Sequence, residues 1–389
     1  MSTQGSIRKD DSGAWFFVVD VAGPRGVRAQ LKRRGFATKK EAAAALSATI
    51  TDQNRGAFIR PSRVTVRTFL VDEWLPAKIA TLKPSTAATY AQYLRTYAVP
   101  YIGDLELSKV DGGVLNALYG QLLSDGRTGA SGRTGGLAPK TVRNLHGMLH
   151  RAFADAVRWR RLTVNPCLSA DQPRKNSAEL GLWSAEQMRH YLDSVRDDRL
   201  HGAWCLLLTT GLRRGELLGL RWSDLDMAVG RATVRHTVTM VASQPESGTP
   251  KSVAGGRTIS IDPATLSALR ALRALRKLQA AERLLLGAAW LGDSDFVMTE
   301  PDGSAIHPQV LSRRFKAQAK SAGLPIIRFH DVRHSYATAA LAAGVPVKVL
   351  SQRLGHADIG VTLRIYAHVM PGDDEAAAAL AANAIFGIP

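Results

Sequence analysis

Aromatic and β-branched residues crowd Ala14-Trp15-Phe16-Phe17-Val18-Val19-Asp20-Val21, and such side chains suit a pleated, half-buried strand. The Gly23-Pro24-Arg25-Gly26 stretch behind it is turn chemistry, so a strand hairpin is expected, with Val27 to Phe36 as a second, very basic strand. Thr38, with Glu41 three residues later, makes a capping box that opens an Ala-rich helix to about Asn54. The product is a small β-β-α unit, too short to be a catalytic domain.

From Val64 to Pro166 the apolar spacing turns helical. Ser85 is the expected cap of a helix through Tyr97, and Pro139 suits the first turn of another through Arg161, with a Gly- and Ser-rich loop, Ser124 to Gly136, between them. Pro166, Pro173, Arg174, Lys175 and Asn176 give Asn165 to Leu182 the composition of a linker. Ser184 with Gln187 is a further capping box, so a new domain opens near Leu182. Helices dominate beyond it, while Arg231 to Val241 and Gly256 to Ile261 alternate as strands around a turn-rich Ser243 to Gly255. The tail begins Asp373-Asp374-Glu375 and carries Leu380, Ala384 and Ile385 as a narrow apolar stripe, which predicts a short helix with acids at its positive end. The fold expected is mainly α with small β elements, an α+β protein. Its domains are 1–60, 61–168 and 182–389, with a linker at 169–181.

Composition adds a partner. The 389 residues exceed one ordinary domain, and 45% hydrophobic content is enough for buried cores. Lys and Arg number 51 against 33 Asp and Glu, a net charge of +18, which calls for a polyanion, nucleic acid first. The excess is concentrated forward: 11 basic against 5 acidic residues in 1–60 and 16 against 8 in 61–175. Cys167 and Cys205 cannot build a structural zinc site alone and read as reduced core thiols. The first thirty residues lack an apolar signal core and no run of 18 apolar residues occurs, so a soluble cytoplasmic protein with no membrane partner is expected.

The chemistry lies in an ordered set: Thr210-Gly211-Leu212-Arg213-Arg214-Gly215-Glu216-Leu217, a lysine at 251 in a predicted hairpin turn, His330-Asp331-Val332-Arg333-His334, Leu354-Gly355-His356, and Tyr366 ten residues on. Single motifs carry little, since 10 His among 37 Arg in this length give roughly one His-x-x-Arg by chance. The conjunction is what counts, because it matches the needs of breaking and rejoining a phosphodiester. A tyrosine of ordinary pKa costs about 4 kcal/mol to ionise at neutral pH, so cationic neighbours must help. An arginine fork holds two non-bridging phosphate oxygens and stays charged through the pentacovalent transition state. A lysine on a turn can protonate the leaving 5′-oxygen. The set needs no cofactor.

These motifs resemble the tyrosine recombinase (phage integrase) family over roughly residues 64 to 370. The resemblance implies Arg213, Lys251, His330, Arg333 and His356 as catalytic groups around the nucleophile Tyr366. It also implies a core-binding domain in the helical module and an arm-type DNA-binding domain in residues 1–60. The partners implied are double-stranded DNA attachment sites, a homotetramer on DNA, and an accessory bending or excision protein. Glu216, at i+3 from Arg213, is read as the group that orients it. Arg214 is read as a salt-bridge or DNA-backbone residue, and His334 and His368 as packing or supporting groups. His146, His150, His190, His201, His236 and His307 have no ligand spacing. Two rival readings share parts of the pattern: a DNA-binding regulator using Val347 to His356 as a helix-turn-helix start, and a type IB topoisomerase using the same chemistry.

Overall fold

The computed structural model describes residues 5–22, 28–54, 63–127, 135–174, 181–241, 244–248, 255–291, 295–366 and 374–387. The chain divides into two compact units, Met1–Ser177 and Ala178–Pro389. The division lies inside the segment 169–181.

The first unit opens with an antiparallel sheet in the order β1 (Gly5–Lys9), β2 (Trp15–Ala22), β3 (Arg28–Phe36). The expected β-β-α unit therefore has a strand more. β1 is invisible to hydrophobic patterning because Ile7 is its one large apolar residue, and its pairing to β2 supplies what its side chains do not. Phe17, Val19 and Val21 share one face of β2 by the two-residue period and pack on Leu31 and on Leu46 of α1 (Lys39–Asn54). At the head of α1 the backbone of Glu41 donates to Thr38 Oγ1 at 3.2 Å, and the Glu41 carboxylate accepts from Ala37 N at 3.0 Å.

The helical module runs from a π-helix, Thr68–Trp74, into α2 (Leu75–Ile79), then α3 (Pro84–Tyr93), which continues through a π turn, Leu94–Ala98, into α4 (Val99–Ile102). α5 (Gly112–Asp125) and α6 (Pro139–Arg158) complete it. Ser85 is not the cap: Pro84 takes the first helical position, so Lys83 stands at the N-cap and Ser85 falls inside the first turn. Asp155 of α6, 8% exposed, ties the module together by accepting from Trp74 Nε1 at 2.9 Å and pairing with Lys78 Nζ at 2.7 Å. Cys167 is a buried free thiol, as is Cys205 in the second unit.

The second unit begins with α7 (Ala185–Ser194), whose capping box is complete: Gln187 N donates to Ser184 Oγ at 3.2 Å and Ser184 N to Gln187 Oε1 at 2.9 Å. α8 (His201–Thr210) and α9 (Arg214–Gly219) follow, then β4 (Leu225–Asp226), β5 (Arg231–Val234), β6 (Thr237–Val241), β7 (Gln244–Gly248) and β8 (Arg257–Ser260). The single strand expected over Arg231 to Val241 is two, because β5 pairs with β4 and β8 while β6 pairs with β7 in a separate ribbon. β7 occupies part of the stretch read as turn. All five of its residues are exposed, so only its pairing to β6 declares it. α10 (Pro263–Leu285), α11 (Pro308–Ser321), α12 (Asp331–Ala342), α13 (Val347–Leu354), α14 (Ile359–Tyr366) and α15 (Asp374–Phe386) finish the unit. Trp183, Tyr191, Trp204, Phe315 and Phe329 form its aromatic core.

Candidate active site

Two left-handed glycines shape the site. α8 ends at Gly211, with φ of 63°, where a Cβ would lie 2.5 Å from the Tyr336 ring. α13 ends at Gly355, with φ of 66°. L-residues with side chains reach this region at a cost, so each glycine lets its helix stop and turns its carbonyl away from the axis. Those turns seat the arginines. Arg333 Nη1 donates to Gly211 O at 3.0 Å and its Nη2 to Leu354 O, while Arg213 Nη2 donates to Gly355 O at 3.2 Å. Thr-Gly-Leu-Arg and Leu-Gly-His thus belong to one arrangement: each turn carries one of the candidate residues and anchors an arginine from elsewhere.

Glu216 organises the cationic side. Its carboxylate accepts from Arg213 N at 3.0 Å and Arg213 Nη1 at 2.6 Å, and from Arg257 Nη1 at 3.2 Å and Nη2 at 3.0 Å. It is 3% exposed. Burial alone would raise its pKa, but the guanidiniums of Arg257 and Arg213 outweigh that and hold it below the usual carboxylate range. The orienting role expected of Glu216 has the contact it needs. Arg257 was not foreseen; it opens β8, in no recognisable motif. Arg214, read as a salt-bridge or DNA-backbone residue, donates within the chain to Ser312 Oγ at 2.9 Å. Three guanidiniums against one carboxylate leave a net positive site, suited to an anion.

The histidines and the tyrosine close the set. His330 stands at the N-cap of α12 and Arg333 in its first turn, 3% exposed. Burial, then the charge of Arg213, pulls Arg333 below the ordinary arginine range, with Glu216 opposing; it remains a cation at neutral pH. Burial, with His334, Arg333 and Arg213 adding to it, lowers the pKa of His330. His356 follows the Gly355 turn, its Nδ1 2.7 Å from Thr362 Oγ1, and burial helped by Arg333 and Arg213 pushes it down to about 4. Tyr366 ends α14 and is 1% exposed. Burial pushes its phenol up to about 12, against the pull of Arg333. The cationic neighbours expected to ionise it are present, but desolvation prevails.

His334, read as a packing or supporting group, is the hydrogen-bond partner of Tyr366: its Nδ1 lies 2.7 Å from the phenolic oxygen. The available signal was its place directly after Arg333 and one helical turn beyond His330. Lys251 and His368 lie outside the described residues. Among the described residues no group of three or more His, Cys, Asp or Glu is placed to hold a metal, and no helix is long and apolar enough to cross a membrane.

Comparison with known proteins places this constellation. The phage integrase family model matches residues 184–372, the arm DNA-binding domain model residues 6–53, and the N-terminal SAM-like domain model of phage integrases residues 68–112. A XerC-like tyrosine recombinase of Caldanaerobacter subterraneus subsp. tengcongensis is 29% identical over 382 residues, 92% of this chain and 94% of that protein. Among solved structures, the Tn1549 transposon integrase in complex with transposon right end DNA superposes with a TM-score of 0.65 at 22% identity, over 82% of this chain and 99% of that one. The lambda integrase tetramer bound to a Holliday junction gives 0.57 at 16% identity, over 92% and 94%. Both are likenesses of fold. With the family model lying over every residue of the constellation, and the arm and SAM-like matches ahead of it, the chain belongs to the phage integrase family of tyrosine site-specific recombinases.

Proposed function

We propose that the chain cuts and rejoins double-stranded DNA at the attachment sites of a mobile element, through a 3′-phosphotyrosyl link on Tyr366. The observation that carries this is the anchoring of Arg213 and Arg333 on the two glycine turns beside Tyr366 and His356. Each terminal guanidinium nitrogen bears two hydrogens, so those given to carbonyls and to Glu216 leave others for the non-bridging oxygens of a phosphate. Tyr366 attacks the scissile phosphorus and the 5′-oxygen leaves with a proton from Lys251. A 5′-hydroxyl from the partner duplex then reverses the attack. His330 and His356 donate to the developing charge. The phosphodiester's energy is kept in the phosphotyrosine, which is why strand exchange needs no external energy source.

Residues 1–60 bind arm-type sites, 61–168 grip the core duplex, and 182–389 carry the chemistry, with 169–181 as the linker between the last two. The working unit is a tetramer on DNA, in the manner of the lambda integrase tetramer on its Holliday junction, and an accessory bending or excision protein sets the direction.

The test uses DNA flanking the chain's own gene, where the attachment site of an element is to be sought. The wild type should leave a denaturant-resistant protein–DNA adduct, and Tyr366→Phe, which loses only the hydroxyl, should bind the same DNA with unchanged affinity and leave none. An adduct at wild-type level in that variant would assign the nucleophile elsewhere.

A further inference from the structure

Sequence and geometry leave one step of the reaction without an agent: the departure of the phenolic proton. Tyr366 is buried and protonated at rest, so water does not take that proton directly. His334 stands in line, with Nδ1 2.7 Å from the hydroxyl and the two rings 5.7 Å apart between centroids. Neither of the other imidazoles is so placed. His356 Nδ1 is engaged by Thr362, and His330 meets the His334 ring edge-on at 5.3 Å and 88°.

The charge of His334 follows from its surroundings. On α12 it faces Asp331, Arg333 and His330; Arg328 lies ahead of the helix, His356 follows α13, and Tyr366 ends α14. Asp331 is the one anion among them, and both its oxygens are taken by Arg328, at 2.7 and 2.8 Å. Burial lowers the pKa of His334, Asp331 opposes, and Arg333 and Arg328 add to the lowering. The ring is therefore neutral near pH 7. In the tautomer that carries its proton on Nε2, which a base acting through Nδ1 requires, Nδ1 presents a lone pair and the phenol donates to it.

We propose that His334 is the general base that accepts the proton of Tyr366 during DNA cleavage. The step balances within the site. The Oη–H bond breaks with its proton passing to Nδ1, the Oη–P bond forms, and the P–O5′ bond breaks with its electron pair protonated by the acid. In the return step the leaving phenolate recovers the proton from Nδ1. Arg333, which together with burial keeps His334 neutral, also times the event, because a phosphodiester anion docked on it offsets its charge and makes the imidazole more basic only once DNA is in place.

This rests on Tyr366 being the nucleophile, and the test separates the two claims. Adduct formation is timed for the full-length protein on a nicked duplex cut from the gene-flanking DNA, between pH 6 and pH 9. Wild type is compared with His334→Gln, which keeps a hydrogen-bonding side chain but accepts no proton, and both are repeated with a fluorinated tyrosine of lowered phenol pKa at position 366. The glutamine variant should bind DNA normally and cleave about 10²- to 10⁴-fold more slowly at pH 7. Its rate should climb about tenfold per pH unit where the wild type is flat. The fluorinated tyrosine should restore its rate at least about tenfold and leave wild type little changed. A glutamine variant within about threefold of wild type with the same pH profile, or a slow one that the fluorinated residue does not rescue, overturns the base assignment while leaving the nucleophile intact. An adduct formed by Tyr366→Phe overturns both.

Discussion

Glu216 divides one carboxylate between Arg213 and Arg257, and Arg257 has 7% side-chain exposure, so neither partner is optional. Glu216→Ala would leave a buried guanidinium without its counter-charge, a loss of about 3–5 kcal/mol that urea unfolding would read directly. Cleavage should fall further than stability explains, because Arg213 loses its aim. The same pair makes stability pH-dependent. The folded-state pKa of Glu216 lies below its unfolded value, so its contribution is complete above the ordinary carboxyl range and declines as the pH falls through the folded value. The acid limb of a stability profile should therefore be shallower in Glu216→Gln. Lys251 is tested by its own chemistry. Lys251→Ala should cleave slowly on ordinary DNA and recover when sulfur replaces the 5′-bridging oxygen, since a thiolate leaves without a proton. Absence of that recovery would reduce Lys251 to a backbone contact.

At the scale of elements, α9 lies against β6 through glycine. A Cβ on Gly215 would come 2.4 Å from Val238 O, and one on Gly219 2.9 Å from the His236 carbonyl carbon. Arg213 is the N-cap of that helix, so the closeness of α9 to the strand locates the arginine. Gly215→Ala should destabilise by about 1–3 kcal/mol through overpacking and slow cleavage without touching a reactive group. Gly120→Ala in α5 and Gly147→Ala in α6 are the controls, since a Cβ at either meets nothing within 4 Å. Both should gain about 0.4–1 kcal/mol by restricting the unfolded chain, and calorimetry on the four proteins would show the contrast.

For the whole molecule, a net charge of +18 weighted toward the front implies that much DNA affinity comes from counterion release, falling steeply with salt. Removing residues 1–54 should flatten the salt dependence and abolish binding to distal arm sites while core-site cleavage continues, because tethered sites gain by avidity. Binding titrations at several salt concentrations, with recombination of long and short attachment sites, would show it. Unchanged recombination of long sites by the truncated protein would remove the arm-binding assignment.

Where residue type alone makes a group eligible, the chain could be read directly. Tyr366, Arg213, Arg333, His330 and His356, which the fold brings together, could be picked out as candidates because a hydroxyl, guanidiniums and imidazoles stand in a fixed order along the chain. The Ser184 capping box and β2 declared themselves because three-residue spacing and two-residue alternation are local. What tertiary structure alone decided was non-local. β1 and β7 owe their existence to a neighbouring strand, and the cap of α3 moved because Pro84 already held the first turn. Arg257 reaches Glu216 from 41 residues away, and His334 meets Tyr366 across 32. No sequence spacing encodes a contact between separate elements, because a hydrogen bond is set by where the packed core brings two side chains. For the same reason the resting phenol is raised, not lowered: the cations were legible in the sequence, but the burial that outweighs them exists only once the chain has folded.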